Sequence, residues 1–265
     1  MPELPEVEAR RTVAEQYLVG KTLRGATAAR DPIVFEGVSP GRVERYLRGR
    51  TVRGVGRKGK HLWLELDRRP WLTLHFGMGG GFTAYRDARE RPRFWKLEFR
   101  SEDGTRLAMT NPRRLGRIRL LQDPLTEPPL SLLGPDPLEG MPSAQELALA
   151  LAGRKAPIKA VLLDQGFLAG IGNWIADEVL YQARIAPVRP ALSLTPAETM
   201  RLRARILAVI RKAVEVGADD AFFPRGWLFH VRWGKDPNAR TRDGKPLSFT
   251  VVGGRTTAWV PAVQK

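Results

Sequence analysis

Apolar residues along this chain change their spacing three times, and each change marks a switch between helix and strand. Up to about residue 20, helix formers carry apolar positions at Val7, Val13 and Leu18. That predicts an amphipathic helix, which Gly20 stops. From about 21 to 122 the pattern shifts to short runs rich in β-branched and aromatic residues. Thr51–Val55, His61–Leu66, Trp71–His75, Trp95–Arg100, Arg106–Thr110 and Arg117–Leu121 each read as a strand, with Asp103-Gly104 as a hairpin turn. Several short strands at this spacing predict a β-sandwich. Residues 123–142, rich in Pro, Leu and Gly, read as a linker. Helical signals follow. Ser143 and Glu146 form a capping box ahead of Ala144–Ala152. Pro157 opens a helix over 158–165 that Gly166 ends. A third helix opens at Gly170-Ile171-Gly172-Asn173, and Thr195-Pro196-Ala197-Glu198 caps a long, Arg-rich fourth that runs to about Val216. From about 226 the pattern turns again. Trp227, Phe229, Val231 and Trp233 alternate as in a strand, and 249–261 reads as two strands about Gly253-Gly254. The predicted fold class is α+β multidomain: a β-sandwich with a leading helix over 1–130, a helical domain over 131–225 and a β-hairpin over 226–265.

Composition narrows the partner. The 265 residues carry a formal net charge of +16, and the sequence pI is near 10.9. Such an excess implies a polyanion, either nucleic acid or an anionic membrane surface. No apolar run approaches the roughly 20 residues of a membrane span, and the N-terminus has no secretory pattern. A soluble intracellular protein that binds nucleic acid is the expectation. Cysteine is absent, which excludes disulfides, thiol catalysis and Cys-based zinc sites. His61, His75 and His230 are not at metal-ligand spacing. Neither a metal nor an organic cofactor is expected.

The N-terminus carries the sharpest chemistry. Methionine before proline is normally removed, which leaves Pro2 with a free secondary amine. An α-amino group has a pKa of roughly 7.7–8.0 against roughly 10.4 for lysine. At neutral pH it is far more often unprotonated, and it then attacks carbon to form a Schiff base. Glu3 and Glu6 lie within a turn of it as proton shuttle and electrostatic partner, while Leu4 and Val7 pin the segment to a core.

Four further segments suit an anionic polymer. Arg57-Lys58-Gly59-Lys60 is a basic turn fit to grip a phosphate, or simply a solvated turn. In His75-Phe76-Gly77-Met78-Gly79-Gly80-Gly81, Met78 is either a wedge for a base stack or a buried loop residue. Asn111-Pro112-Arg113-Arg114-Leu115-Gly116-Arg117 is a turn with three arginines. At Gly170-Ile171-Gly172-Asn173 two glycines expose backbone N–H groups where a helix dipole favours phosphate.

Pro2-Glu3-Leu4-Pro5-Glu6-Val7-Glu8 resembles the N-terminal signature of the formamidopyrimidine-DNA glycosylase/endonuclease VIII family, and the later segments resemble it in the same order. The resemblance covers nearly the whole chain. It implies a bifunctional DNA glycosylase and abasic-site lyase of base-excision repair. Pro2 is then the nucleophile, and Glu3 protonates the opening sugar. Glu6, Lys60 and Arg255 complete the catalytic set, with Lys60 also on phosphate near the lesion. Met78 and Arg113 fill the gap in the duplex, and Leu115 stands where the family usually has phenylalanine. The segment from Gly170 to Pro187 resembles the family's helix-two-turn-helix motif. There Asn173 grips phosphate and Lys159 matches a phosphate-contacting lysine, with Arg154 and Lys155 adding to the grip. Most of the family has a four-cysteine zinc finger at the C-terminus with an arginine at its turn. This chain lacks the cysteines and keeps Gly254-Arg255-Thr256, so it resembles the zincless branch. Trp233, Phe249 and Trp259 are the aromatics expected to replace the metal. The segment Ala218–Arg225 is too short for the loop that covers a flipped 8-oxoguanine, so formamidopyrimidines and hydantoins are the favoured lesions. The implied partner is damaged double-stranded DNA held in a basic cleft, with the protein a monomer. A non-catalytic binder of damaged or branched DNA is the rival reading, and an RNA-binding protein is a third.

Overall fold

In the computed structural model, residues 2–265 are described. Met1, whose removal the chemistry above requires, lies outside the described residues. The chain separates into two units. One holds Glu6–Leu132 together with Pro2, and the other holds Glu3–Pro5 with Leu133–Lys265.

The leading helix α1 spans Leu4–Leu18. Its Leu4 belongs to the core of the second unit. Val7, Ala14 and Leu18 belong to the core of the first. The first unit is a sandwich of two antiparallel four-stranded sheets. Its elements are β1 Leu23–Ala28, α2 Pro40–Leu47, β2 Val52–Lys58, β3 His61–Leu66, β4 Trp71–His75, β5 Gly81–Tyr85, β6 Trp95–Ser101, β7 Arg106–Thr110 and β8 Arg117–Leu121. One sheet has the order β1-β6-β7-β5 and the other β2-β3-β4-β8. Leu62, Leu64, Leu72, Leu74, Leu97, Phe99, Leu107 and Met109 fill the space between them. Strands β3, β4, β7 and β8 fall where the alternation puts them. Strand β5 is a half-exposed Gly-Phe-Thr-Ala-Tyr run, which carries too few buried apolar residues to announce itself. Helix α2 has a legible start, with Ser39 accepting from the Arg42 N–H at 3.3 Å and Pro40 in the first turn, but it is only two turns long.

The second unit contains α3 Pro137–Gly140, α4 Ala144–Ala152, α5 Ile158–Leu163, α6 Asn173–Ala183, α7 Pro196–Glu215, β9 Ser248–Val252 and β10 Arg255–Trp259. The predicted capping box of Ser143 with Glu146 forms, and the predicted cap at Thr195 is a capping box with Glu198 as well. Helix α6 buries eight residues around its circumference, the mark of a helix at the centre of a core. The predicted linker is partly structured. Asp136 caps α3 by accepting from the Leu138 N–H at 3.0 Å.

The strand expected over Trp227–Trp233 does not form. Leu228–His230 is a single 3₁₀ turn. The alternating aromatics serve a cluster instead. Trp174 on α6 lies 5.6 Å from Phe223, 6.3 Å from Trp227 and 5.3 Å from Phe229. The β9–β10 hairpin has a small core of Leu228, Ala239, Leu247, Ala258 and Val260. Of the aromatics expected to staple it, Phe249 packs on this core, whereas Trp233 is 53% exposed and meets Phe229 edge-on.

Glu178, on α6, is fully buried. Desolvation pushes its carboxyl up to about 7, against bonds donated by Gln182 at 2.7 Å and the Phe229 N–H at 2.9 Å. A carboxyl raised in the folded state contributes its stability below its ordinary value of 4.5 and loses it as pH climbs through about 7. Wild type should therefore lose stability relative to Glu178→Gln between pH 5 and pH 8, by on the order of 1–3 kcal/mol. Urea unfolding of both proteins across that range measures the difference.

Candidate functional site

In the helical unit, site geometry begins with one carboxylate. Glu3 is buried and sits at the N-terminus of α6. It accepts from the backbone N–H groups of Gly172 at 2.9 Å, Trp174 at 2.9 Å and Ile175 at 3.1 Å. These are the donors a helix start leaves unpaired, at its positive dipole end. The anion expected at this helix end was phosphate; the anion found is the protein's own Glu3. The Gly-Ile-Gly spacing has a matching cause. A Cβ on Gly172 would lie 2.3 Å from the Glu3 carboxyl carbon. Gly170 has φ +96° and gives its carbonyl to the Leu4 N–H at 3.0 Å. Gln165 closes the turn, donating to Ile171 O at 2.8 Å and accepting from the Gly170 N–H at 3.0 Å.

The hairpin turn lies beside this helix start. Gly253 and Gly254 have φ +58° and +70°, the conformation a two-residue hairpin turn requires. Arg255 follows and is exposed. Asn173 donates its side-chain amide to Thr256 O at 3.0 Å. Lys159 departs from expectation. Its ammonium is wholly buried, 2.6 Å from Asp177, and donates to Thr257 Oγ1 at 2.7 Å. Its phosphate role is not available in this conformation, because helix α5 turns the side chain into the core. Arg154 pairs with Asp164 at 3.2 Å and lies over the Phe167 ring at 4.8 Å, while Lys155 is exposed. Between α7 and the hairpin, Asp220–Phe222 forms a single 3₁₀ turn with Phe222 67% exposed.

In the sandwich unit, Pro2 is buried and Glu6 half-buried in the first turn of α1. The basic turn between β2 and β3 is built inward. Arg57 bonds Glu8 at 2.8 Å and Gly59 O at 3.2 Å, Lys58 reaches Leu130 O at 3.3 Å, and Lys60 is buried. The two candidate wedge loops meet. Arg113 Nη1 lies 3.5 Å from Met78 Sδ, and Leu115 is 43% exposed. Asn111 ties these loops together, donating to Phe76 O at 2.6 Å and accepting from the Gly116 N–H at 3.0 Å. The fit demands Gly77, with φ +58°, where a Cβ would meet the Leu115 carbonyl carbon at 2.4 Å. Arg10 holds the first loop from α1 by donating to Gly80 O at 2.9 Å, and Arg114 forks onto Asp31 at 2.9 and 3.0 Å. Phe94 is 48% exposed with φ +62° and accepts from the Asn111 N–H at 2.9 Å. Positive φ is uncommon for a bulky residue. Sequence reasoning passed over Asn111, Arg10 and Phe94. Asn-Pro signalled a turn, but nothing local signals a buried amide joining two distant loops.

The model of the formamidopyrimidine-DNA glycosylase N-terminal domain matches residues 1–118, and that of the formamidopyrimidine-DNA glycosylase H2TH domain matches residues 133–223. The chain belongs to the formamidopyrimidine-DNA glycosylase family. The formamidopyrimidine-DNA glycosylase of Arabidopsis thaliana is 44% identical over 278 residues, covering 100% of this chain and 71% of that protein. That of Thermus thermophilus is 35% identical, covering 100% and 98%. Among solved structures, the Lactococcus lactis glycosylase bound to DNA with an abasic site superposes with a TM-score of 0.87 at 25% identity, covering 99% of each chain. MutM in complex with DNA containing carbocyclic 8-oxo-G superposes at 0.88 and 25% identity, covering all of both. The α+β architecture, with its N-terminal sandwich and helical H2TH domain, is that of this glycosylase family.

Gly172→Ala should cost about 1–3 kcal/mol of stability, since an added methyl must displace the Glu3 carboxylate. Gly140→Ala, with nothing within 4 Å of its would-be Cβ, serves as the control and should change little. Denaturant unfolding of the two variants compares them.

Proposed function

We propose that the protein is a bifunctional DNA glycosylase and abasic-site lyase of base-excision repair that removes oxidised bases from damaged duplex DNA through Pro2. Family membership supports the reaction class. The observation that carries the assignment to residues is the capped carboxylate of Glu3, one peptide bond from Pro2. Three backbone donors fix it before any substrate arrives, which is the preorganisation such a step needs.

The sequence of events follows from the groups in hand. DNA is drawn by the +16 charge. Met78, Arg113 and Leu115 enter the stack as the lesion flips out. The Pro2 nitrogen attacks the sugar C1′, its lone pair forms the new C–N bond, and the damaged base leaves with the glycosidic electrons. Glu3 takes the proton that the Pro2 nitrogen sheds and passes it to the ring oxygen as the sugar opens. The iminium that results acidifies the C2′ hydrogen, and loss of that proton expels the 3′ phosphate. A second elimination expels the 5′ phosphate. Lys60, Asn173, Arg154 and Arg255 serve the phosphates, with Glu6 as electrostatic partner. Lys159 leaves that list.

Formamidopyrimidines and hydantoins are the proposed lesions, because the Ala218–Arg225 segment is short. Solved structures in the family include a Lactococcus lactis mutant with DNA containing Fapy-dG. Work on the genome places the protein inside the cell, with DNA.

Incubation with abasic-site duplex and borohydride should yield a covalent adduct that Pro2→Gly largely abolishes. A wild-type protein that binds the duplex and gives no adduct would instead be the non-catalytic binder. Leu115→Phe should tighten binding to abasic duplex by about five-fold or more, since an aromatic adds about 1–3 kcal/mol of stacking per base; fluorescence anisotropy reads this.

A further inference from the structure

We propose that Asp177 is a positioning residue for the Arg255 turn, acting through a buried three-charge cluster with Lys159 and Arg232. What that turn grips rests on the glycosylase reading above; the cluster itself does not.

Asp177 and Lys159 are fully buried, and Arg232 is nearly so. One oxygen of Asp177 lies 2.6 Å from Lys159 Nζ and the other 2.6 Å from Arg232 Nη2. That second oxygen also accepts the backbone N–H of Ala258 at 3.1 Å. Lys159 continues to the hairpin through Thr257 Oγ1 at 2.7 Å and Thr256 O at 3.3 Å. Arg232 closes the circle on Asn173 O at 3.3 Å. Three successive residues of β10, beginning one residue after Arg255, are therefore each bonded to this cluster or to Asn173. Burial holds the Lys159 ammonium below its usual pKa, against the opposing pull of Asp177 and, more weakly, of Glu3.

The other anchors act at the end of the hairpin away from the turn. The hairpin core has five buried residues, two of them alanines, with Tyr181, Val231, Phe249 and Val263 packed against it, and Gln264 ties the Val260 N–H to Ile185 O. The chain has no cysteine, so a thiolate-bound metal is not open to it. An apolar contact tolerates sliding along a neighbouring helix. A charge cluster with directional partners does not, because any shift strands a buried ion, a steep penalty. The two cations share one carboxylate, so Asp177 is the member whose loss leaves them facing each other. The turn itself lies on α5, where a Cβ at Gly253 would come within 3.3 Å of Ala160. Register set at Thr256–Ala258 therefore fixes where the Arg255 backbone emerges.

Asp177→Asn keeps the shape and removes the charge. Amide exchange in 248–259 should quicken about ten-fold or more, while β3 and β4 stay unchanged. The half-saturating concentration of abasic duplex, read by anisotropy, should rise about ten-fold or more, while borohydride adduct at saturating DNA stays within about two-fold of wild type. Asp177→Glu, which keeps the charge, should recover part of the loss. Wild-type exchange in the hairpin of Asp177→Asn would overturn the proposal. So would a loosened hairpin with unchanged half-saturation. Should Asp177→Asn fail to fold, Thr257→Val, which removes only the Lys159 hydroxyl contact, decides in its place: hairpin exchange and half-saturation should both rise by a few-fold, and no change in either would overturn the proposal. A wild-type protein that forms no adduct defeats the catalytic reading, and the exchange comparison then still judges the cluster.

Discussion

A carboxylate on the third residue of the chain caps a helix that starts at residue 173, and much else is arranged around that contact. The first turn of any helix presents unpaired N–H groups. Here they are spent on Glu3, and the glycines that precede the helix are the ones its carboxylate and Leu4 leave room for. Because consecutive Cα atoms are only about 3.8 Å apart, Pro2 cannot stray far from the capped group. The N-terminus of a protein is ordinarily its least ordered part. This one is tied by side-chain and backbone bonds to the centre of a helical core.

The same helix organises the hairpin by a second kind of force. Its first residue reaches Thr256 with a neutral amide, and a turn later Asp177 collects two cations and a backbone N–H. Its buried aromatic, Trp174, gathers Phe223, Trp227 and Phe229. One helix thus supplies a dipole end, a charge anchor and an aromatic platform within five residues.

Much of this was open to a reader of the sequence, and what was hidden was hidden for physical reasons. Alternation located β3, β4, β7 and β8, and Ser143 and Thr195 with their glutamates announced α4 and α7, because those signals are local. The two loops offered as wedge candidates stood out through their glycines and arginines, and Arg113 Nη1 lies 3.5 Å from Met78 Sδ. Lys159 was placed on phosphate because it matches the family's phosphate-contacting lysine; only the burial of Asp177 on another helix shows why its ammonium turns inward. Trp227–Trp233 looked like a strand because period two was satisfied by residues of which two, Trp227 and Phe229, in fact pack on Trp174. Asn111 gave a turn signal and no hint that it joins loops 35 residues apart.

That last link has a consequence for how the duplex is probed. Met78 and Arg113 belong to separate loops, yet the Asn111 amide and the Gly77 contact lock the loops into one piece. On the reading proposed above, in which these side chains enter the duplex, the two loops would enter it as one body. A change at Asn111 or Gly77 therefore disturbs both loops at once.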